Sequence, residues 1–407
     1  MGDMILAWRN VWRNPRRSLL TILAIVFAAV LLVFMLSFQF GSYEDMINAT
    51  VRQSTGHLQV QSPGYHDRQE MHLVVADAQH LVAEIEPING VNNVALRSEA
   101  FALMSGEKRS RGTTIFGIQP EKEKKVTTLP RQIKQGRYLQ KGDHGVALIG
   151  SLLAKRLQLT IGDECTMLGQ GKDGSIAAAL FTIIGIYTTG VDAVDRATVH
   201  ITFADFNHIF FMEKAAHRVI ITAEHLADIT PITQALQSNP AFRSLTILTW
   251  DKLAPGLRQS MELDLISGII MYIILVVVVA FSVLNTFFMA FFERTREFGV
   301  LLSIGARPAR LVRMILTESM LLTFTGIALG TLIGIGLTVY FSHQGISFGD
   351  GGELLAQYGF EDRFYPRLSW ISACLGPALL LIITFFTALI PALKVPGLKP
   401  VDALRSC

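Results

Sequence analysis

Residues 265–292 read LISGIIMYIILVVVVAFSVLNTFFMAFF, an apolar run with no Asp, Glu, Lys, Arg or His. A bilayer core is crossed by roughly 20 such residues in a helix, so this stretch is long enough to span one. Three more stretches qualify, Ser18–Phe40, Ile315–Phe341 and Leu368–Leu393, and only Glu318 carries a charge inside any of the four. A buried helix of a soluble protein rarely runs so far without polar punctuation. The first stretch follows Arg16 and Arg17 but is longer than the roughly 7–15 apolar residues of a signal peptide, and no A-x-A site follows. It reads as an uncleaved anchor.

Working outward from these spans, the flanking charges set the orientation, because short Arg- and Lys-rich segments stay on the cytoplasmic side. Arg9, Arg13, Arg16 and Arg17 precede the first span. Arg294, Arg296, Arg307, Arg310 and Arg313 link the second to the third, and Lys394, Lys399 and Arg405 follow the fourth. Both termini are expected in the cytoplasm. The expected layout is a cytoplasmic segment 1–17, first span 18–40, extracytoplasmic domain 41–264 and second span 265–292. A cytoplasmic segment 293–314, third span 315–341, outer loop 342–367, fourth span 368–393 and cytoplasmic tail 394–407 follow. Met4, Ile5, Trp8, Val11 and Trp12 form an apolar stripe at helical spacing, which suits a short interfacial helix against membrane lipid.

Composition agrees with a membrane chain. Half of the 407 residues are hydrophobic and 17% are charged, which excludes disorder. A formal charge of +3 supplies no basic field, so no nucleic-acid partner is expected. Cys165, Cys374 and Cys407 sit in separate contexts and offer neither a disulfide framework nor a cysteine-rich metal site.

The extracytoplasmic segment reads as mixed α/β. His57–Gln61 alternates like a half-buried strand, Ala78–Ile88 has Leu81, Val82, Ile85 and Ile88 at helical spacing, and Leu96–Met104 returns to strand composition. Arg218–Ala223, Thr230–Gln237 and Leu245–Trp250 repeat that β-α-β order. Residues 41–104 and 203–264 are therefore one β-α-β part. Residues 105–202 form a β-rich insertion, with strands expected at Gly112–Gln119, Gly162–Leu168, Phe181–Tyr187 and Ala197–Thr202. Glu121–Lys125 and Gly169–Ser175 read as exposed loops, the second as a hairpin tip.

Candidate chemistry is sparse. The Gly169–Ser175 loop carries Lys172 followed by Asp173, where a phosphate loop needs Ser or Thr. His66, Asp67, Glu70 and His72 match no standard metal spacing. No catalytic residue, metal or cofactor is expected on this chain. Glu318, an acid one turn inside the third span, either snorkels toward the interface or pairs with an Arg such as Arg313, or else relays motion between helices. Gly326, Gly330 and Gly334 line one face of that span and permit close helix approach, either to another span or to a second subunit.

The cytoplasmic segment after the second span reads Glu293-Arg294-Thr295-Arg296-Glu297-Phe298-Gly299-Val300-Leu301-Leu302-Ser303-Ile304-Gly305-Ala306. Phe298–Ile304 is apolar on most faces, which calls for a groove on another protein or, as the alternative, a helix resting on the inner leaflet, and Gly305 supplies a helix stop. The segment resembles the E-R-x-R-E-[IF]-G-x-L-x-x-[IL]-G-A signature of FtsX-like permeases of ABC transporters, also called the mechanotransmission or type VII group. Arg13-Asn14-Pro15-Arg16-Arg17 before the first span, Pro391-Ala392, and Lys399-Pro400-Val401-Asp402-Ala403-Leu404-Arg405 are similar to that family too. The resemblance implies an inner-membrane permease that works as a dimer with a second copy or paralogue. It also implies a cytoplasmic ATPase subunit that binds the ATP and magnesium. Glu293, Arg294, Arg296, Glu297, Phe298, Gly299, Leu301, Leu302, Gly305 and Ala306 would make the ATPase contact, and a periplasmic carrier or adaptor is a further partner the resemblance allows. Within the family, Gly136-Arg137-Tyr138-Leu139, Gly162-Asp163 and Phe181–Tyr187 are similar to lipoprotein-releasing permeases, whereas Glu318 looks more like the macrolide-efflux branch. Lipoprotein release is the favoured expectation, with efflux of drugs or peptides, or a non-pumping sensor or scaffold, as alternatives.

Overall fold

The computed structural model describes residues 13–347 and 363–397. The stripe Met4 to Trp12, the closing Lys399–Arg405 and much of the outer loop lie outside the described residues. Contacts divide the chain into two units, one holding the long apolar helices and one centred on 44–259.

In the second unit, β1 (Leu58–Gln61) leads to α1 (Ala78–Ile85) and β2 (Val91–Ser105). There follow β3 (Ser110–Ile118), α2 (Pro120–Val126), β4 (Ile133–Gly136), β5 (Val146–Gly150) and α3 (Ser151–Leu157). Next come β6 (Glu164–Gln170), β7 (Ile176–Tyr187), β8 (Thr198–Thr202) and α4 (Phe203–Ile209). The unit closes with β9 (Arg218–Ala223), α5 (Ile229–Ser238) and β10 (Thr246–Thr249). One ten-stranded sheet runs β10-β1-β9-β2-β3-β8-β5-β7-β4, with β6 bridging β2 and β7.

The two β-α-β units interleave rather than stand side by side. β1 lies between β10 and β9, and β9 pairs the first half of β2, all antiparallel. This is the split β-α-β-β-α-β arrangement. The long β2 continues past its β9 partner and pairs β3 from Arg97 to Ser105 and β6 from Ala102 to Ser105, which carries the sheet into the insertion. Leu81, Val82 and Ile85 of α1 and Ile229, Ile232 and Leu236 of α5 bury against Leu58, Val60, Leu96 and Ile221. A second core, including Met104, Ile149, Phe181 and Phe206, fills the insertion.

Two sequence expectations fail here. β1 is buried along its whole length, not on alternate residues, so both faces of the sheet are covered at this central strand between β10 and β9. Gln59 donates to the Thr55 carbonyl at 2.7 Å and accepts from Gln61 at 2.6 Å, whereas Gln61 Oε1 has no hydrogen-bond partner among the described residues. Residues 121–125, expected as an exposed loop, belong to α2, with Pro120 in its first turn. There Glu123 is buried and ion-paired with Arg97 of β2. A mostly charged segment looks solvated in sequence, but one buried arginine on a neighbouring strand accounts for its inward acid. Residues 169–175 do form the β6–β7 tip. Their amides close on the protein itself, Gly171 N to the Ser175 carbonyl at 2.9 Å and Lys172 N to the Phe210 carbonyl at 3.0 Å, so no phosphate cradle is present.

Among the described residues, four helices are long and apolar enough to cross a membrane: Pro15–Thr50, Pro255–Glu293, Pro308–Gln344 and Trp370–Ala392. Their shared core contains Ile25, Ala29, Leu32, Val283, Leu322 and Leu380. Gly326, Gly330 and Gly334 face the first helix of the same chain. A methyl added at Gly330 would lie 2.6 Å from the Ala29 Cβ, and one at Gly326 would lie 2.8 Å from the Ile25 Cβ. Small residues here let backbones approach, which replaces the hydrophobic drive that lipid does not supply.

Candidate functional site

The second long helix ends at Glu293, and Arg294 leaves helical geometry with φ −104° and ψ 4° before the short helix Thr295–Ser303 begins. The chain needs a stop before Arg307-Pro308 opens the third long helix, and Gly305 provides it at φ +95°. The Ala306 amide donates to the Leu301 carbonyl and the Gly305 amide to the Leu302 carbonyl, at 3.0 and 3.1 Å. This double closure requires the left-handed residue that glycine tolerates best.

The short helix has two faces, whereas the sequence suggested one undivided apolar run. Phe298 and Gly299 are buried, and Phe298 packs with Phe291, Leu311 and Val395. The Phe291 and Phe298 rings are 6.1 Å apart. Leu302 and Ala306 are half-buried. On the outward face stand Arg296, Val300, Leu301 and Ile304, the last 79% exposed. A helix turns 100° per residue, so Phe298 and Leu302 fall on one side while Val300 and Ile304 fall on another.

Charges fix the start of the short helix. Arg294, buried, donates to Glu318 at 2.7 Å and lies 3.7 Å from Glu297. Arg13 donates to Glu297 at 2.6 Å and Arg17 to Glu293 at 2.5 Å. The short helix is thereby tied to the start of the first long helix and to the third. Glu318 finds its counter-ion in Arg294, the residue at the break, rather than in Arg313, five positions away on its own helix. Sequence reasoning missed Arg13 and Arg17 as partners because their charge had already been assigned to orientation. It also missed Val300 and Ile304, although their i,i+4 spacing marks an outward pair.

Elsewhere the polar loop holds Glu70 and His72 3.3 Å apart at the surface, and no three or more His, Cys, Asp or Glu side chains gather as metal ligands among the described residues.

Two family descriptions match: "FtsX-like permease C-terminal" over residues 269–400 and "MacB-like periplasmic core domain" over residues 18–239. The chain is 23% identical over 405 residues to the lipoprotein-releasing system transmembrane protein LolC of Xylella fastidiosa, covering 95% of this chain and 93% of that one. It is 32% identical over 124 residues to the macrolide export ATP-binding/permease protein MacB of Chlorobaculum tepidum, covering 30% of this chain and 16% of that one. The periplasmic region of MacB from Actinobacillus actinomycetemcomitans overlays with a TM-score of 0.37 at 15% identity, covering 49% of this chain and 92% of that one. With the core-domain match spanning more than half of its length, the chain belongs to the FtsX-like, MacB/Lol-type (type VII) ABC transporter permeases.

Proposed function

We propose that this chain is the non-catalytic permease subunit of an ABC transporter and that it couples ATP hydrolysis on a cytoplasmic partner to extracytoplasmic release of a lipophilic substrate, lipoproteins being the favoured cargo. The observation that carries the reading is the two-faced helix Thr295–Ser303. Its inner face is pinned by Phe298 and by the Arg294–Glu318 pair at its start, and its outer face offers Val300, Leu301 and Ile304. Such a helix moves with the spans as one body, so a partner that grips the outer apolar residues displaces the spans directly. Glu293, Arg296 and Glu297 supply a polar rim, while Gly305 and Ala306 hold the exit angle. ATP and magnesium belong to the partner. A second copy or a related chain completes the assembly, and a periplasmic carrier or adaptor receives the cargo. Relatedness to lipoprotein-releasing permeases over nearly the whole chain supports the cargo.

The test is to co-purify the permease with a cytoplasmic ABC ATPase subunit from the same cells. Val300→Asp with Ile304→Asp should abolish co-purification and permease-dependent ATPase activity, because two charges would enter an apolar groove. Unchanged association would remove the contact assignment. For cargo, depletion should leave lipoproteins in the inner membrane. Unchanged lipoprotein sorting with altered drug sensitivity would instead identify efflux.

A further inference from the structure

In the outer domain, a cleft of about 280 Å³ opens between β9, the end of α2 and the segment after the first long helix. Its lining includes Arg52, Lys124, Lys125 and Arg131 together with Asn92 and His57, and no carboxylate. Lys124 pairs with Glu121 at the surface, but Arg52, Lys125 and Arg131 form no ion pair among the described residues. Lysines in the last turn of α2 complement its helix dipole, which accounts for Lys124 and Lys125. It does not account for Arg52 or Arg131, which arrive on separate segments and point their charge at the same space.

The cleft is held in shape. The Thr128 amide donates to the Arg52 carbonyl at 2.9 Å, which joins two of the walls. His57 is closed off behind them: the Ala223 amide donates to Nδ1 at 3.2 Å, and Nε2 donates to Asn48 Oδ1 at 3.1 Å. His57 is therefore a neutral wall, and the cations face the opening. An adjoining cleft of about 220 Å³ shares Asn92 and Lys125, but there Lys122 is neutralised by Glu86 at 2.8 Å. The contrast matters, because the domain as a whole mixes 22 basic with 24 acidic residues over 41–264, and the charged residues that line this cleft are all cations.

We propose that the 280 Å³ cleft binds a phosphate-bearing anion of headgroup size. Two guanidinium groups and an ammonium suit the several oxygens of a phosphate, and two arginines favour a planar, bidentate approach. The volume is at the lower end of ligand clefts, roughly 300 Å³, so it fits a phosphate ester rather than a folded partner. The shared chemistry is the phosphate group, whose source is either an anionic lipid or a free phosphate ester. The site does not depend on the transport reading above.

The experiment uses the full-length protein in detergent micelles. It is titrated calorimetrically with inorganic phosphate, with short-chain phosphatidylglycerol and with short-chain phosphatidylcholine, at low and high salt. Saturable binding that weakens with salt is expected for the first or second probe. The triple variant Arg52→Gln, Lys125→Gln, Arg131→Gln should weaken it at least tenfold. A control of equal charge change, Lys141→Gln, Lys155→Gln, Lys214→Gln, should leave it within twofold. Tighter binding of phosphatidylglycerol than of inorganic phosphate assigns the site to lipid headgroups, and equal binding assigns it to free esters. No saturable binding of either, or equal losses in the two triple variants while both retain the wild-type melting temperature, overturns the proposal. If the cleft variant melts early, single Arg131→Gln, an exposed change, is read in its place against the same tenfold-or-twofold criterion.

Discussion

The outer domain and the helical spans solve the same packing problem with opposite materials. The outer domain buries large side chains, Tyr65, Phe181 and Phe206 among them, and surrounds its buried charges with partners. Glu99 there receives the Tyr65 hydroxyl at 2.6 Å and pairs with Arg218, while Arg97 pairs with Glu123. The spans pack through absent side chains, with Gly326, Gly330 and Gly376 against Ile25, Ala29 and Leu32. Their buried pair among the described residues, Arg294–Glu318, sits at the bend where the short helix meets the third span. Water drives the first kind of core and cannot drive the second, so the spans depend on close van der Waals contact and on a charged pin at one end.

Acid should separate the two regions most strongly. Burial lowers His57 and His217 from 6.5 to about 4 and His200 to about 3, and all three lie in the outer domain. Arg52 lowers His57 further, and Arg97 does the same to His200. Each folded value is depressed, so the fold holds these rings neutral while the unfolded chain takes up protons below about 6.5. Stability is full above that pH and falls as the pH drops toward the folded values, by roughly 2 kcal/mol per histidine at pH 5. The four apolar stretches contain no histidine. Hydrogen exchange from pH 7 to pH 4.5 should show the outer sheet opening first, and uniform opening of both regions would contradict the contrast.

Next in size is the pin. Glu318→Ala leaves Arg294 buried without its main partner and should cost about 3–5 kcal/mol. Arg294→Met with Glu318→Leu removes both charges and should recover most of that loss in thermal melting of the detergent-solubilised chain. If the double variant is as damaged as the single one, the pair is more than a structural pin, and the ATPase rate of the assembled transporter would then show whether motion is relayed through it.

The glycine face comes third. Gly330→Val should cost about 1–3 kcal/mol through overpacking against Ala29, whereas Gly336, with nothing near its would-be Cβ, should accept the same change with little loss. Equal effects at both positions would mean that helix propensity, not contact, explains the glycines. The smallest effect is expected at the surface pair of Arg137 and Asp143, 2.6 Å apart. Asp143 is held below the usual carboxylate range, first by its hydrogen bond from Arg137. Even so, Arg137→Ala should change stability by only about 0.2–1 kcal/mol, less at high salt.

Much was legible before any coordinates. The four spans follow from length and apolar content, and the β-α-β order follows from periodicity at Leu81, Val82 and Ile85. The strands at 146–150 and 133–136 were not, because short runs beside Gly and Pro carry little periodic signal. At the candidate site, Gly305 announced its own turn, while the division of Phe298–Ile304 into two faces was hidden by a composition that is apolar on both.

What sequence by itself determined is therefore whatever depends on local composition and period: which segments are apolar enough for lipid, where helices start and stop, and which family signature follows the second span. Only tertiary structure decided who meets whom. That Glu318 pairs with Arg294, that Glu123 turns inward to Arg97, and that the third-span glycines rest on Ile25 and Ala29 are facts about distant segments. A side chain's own identity fixes its charge and volume, but the partner that compensates them is chosen by how the chain folds back.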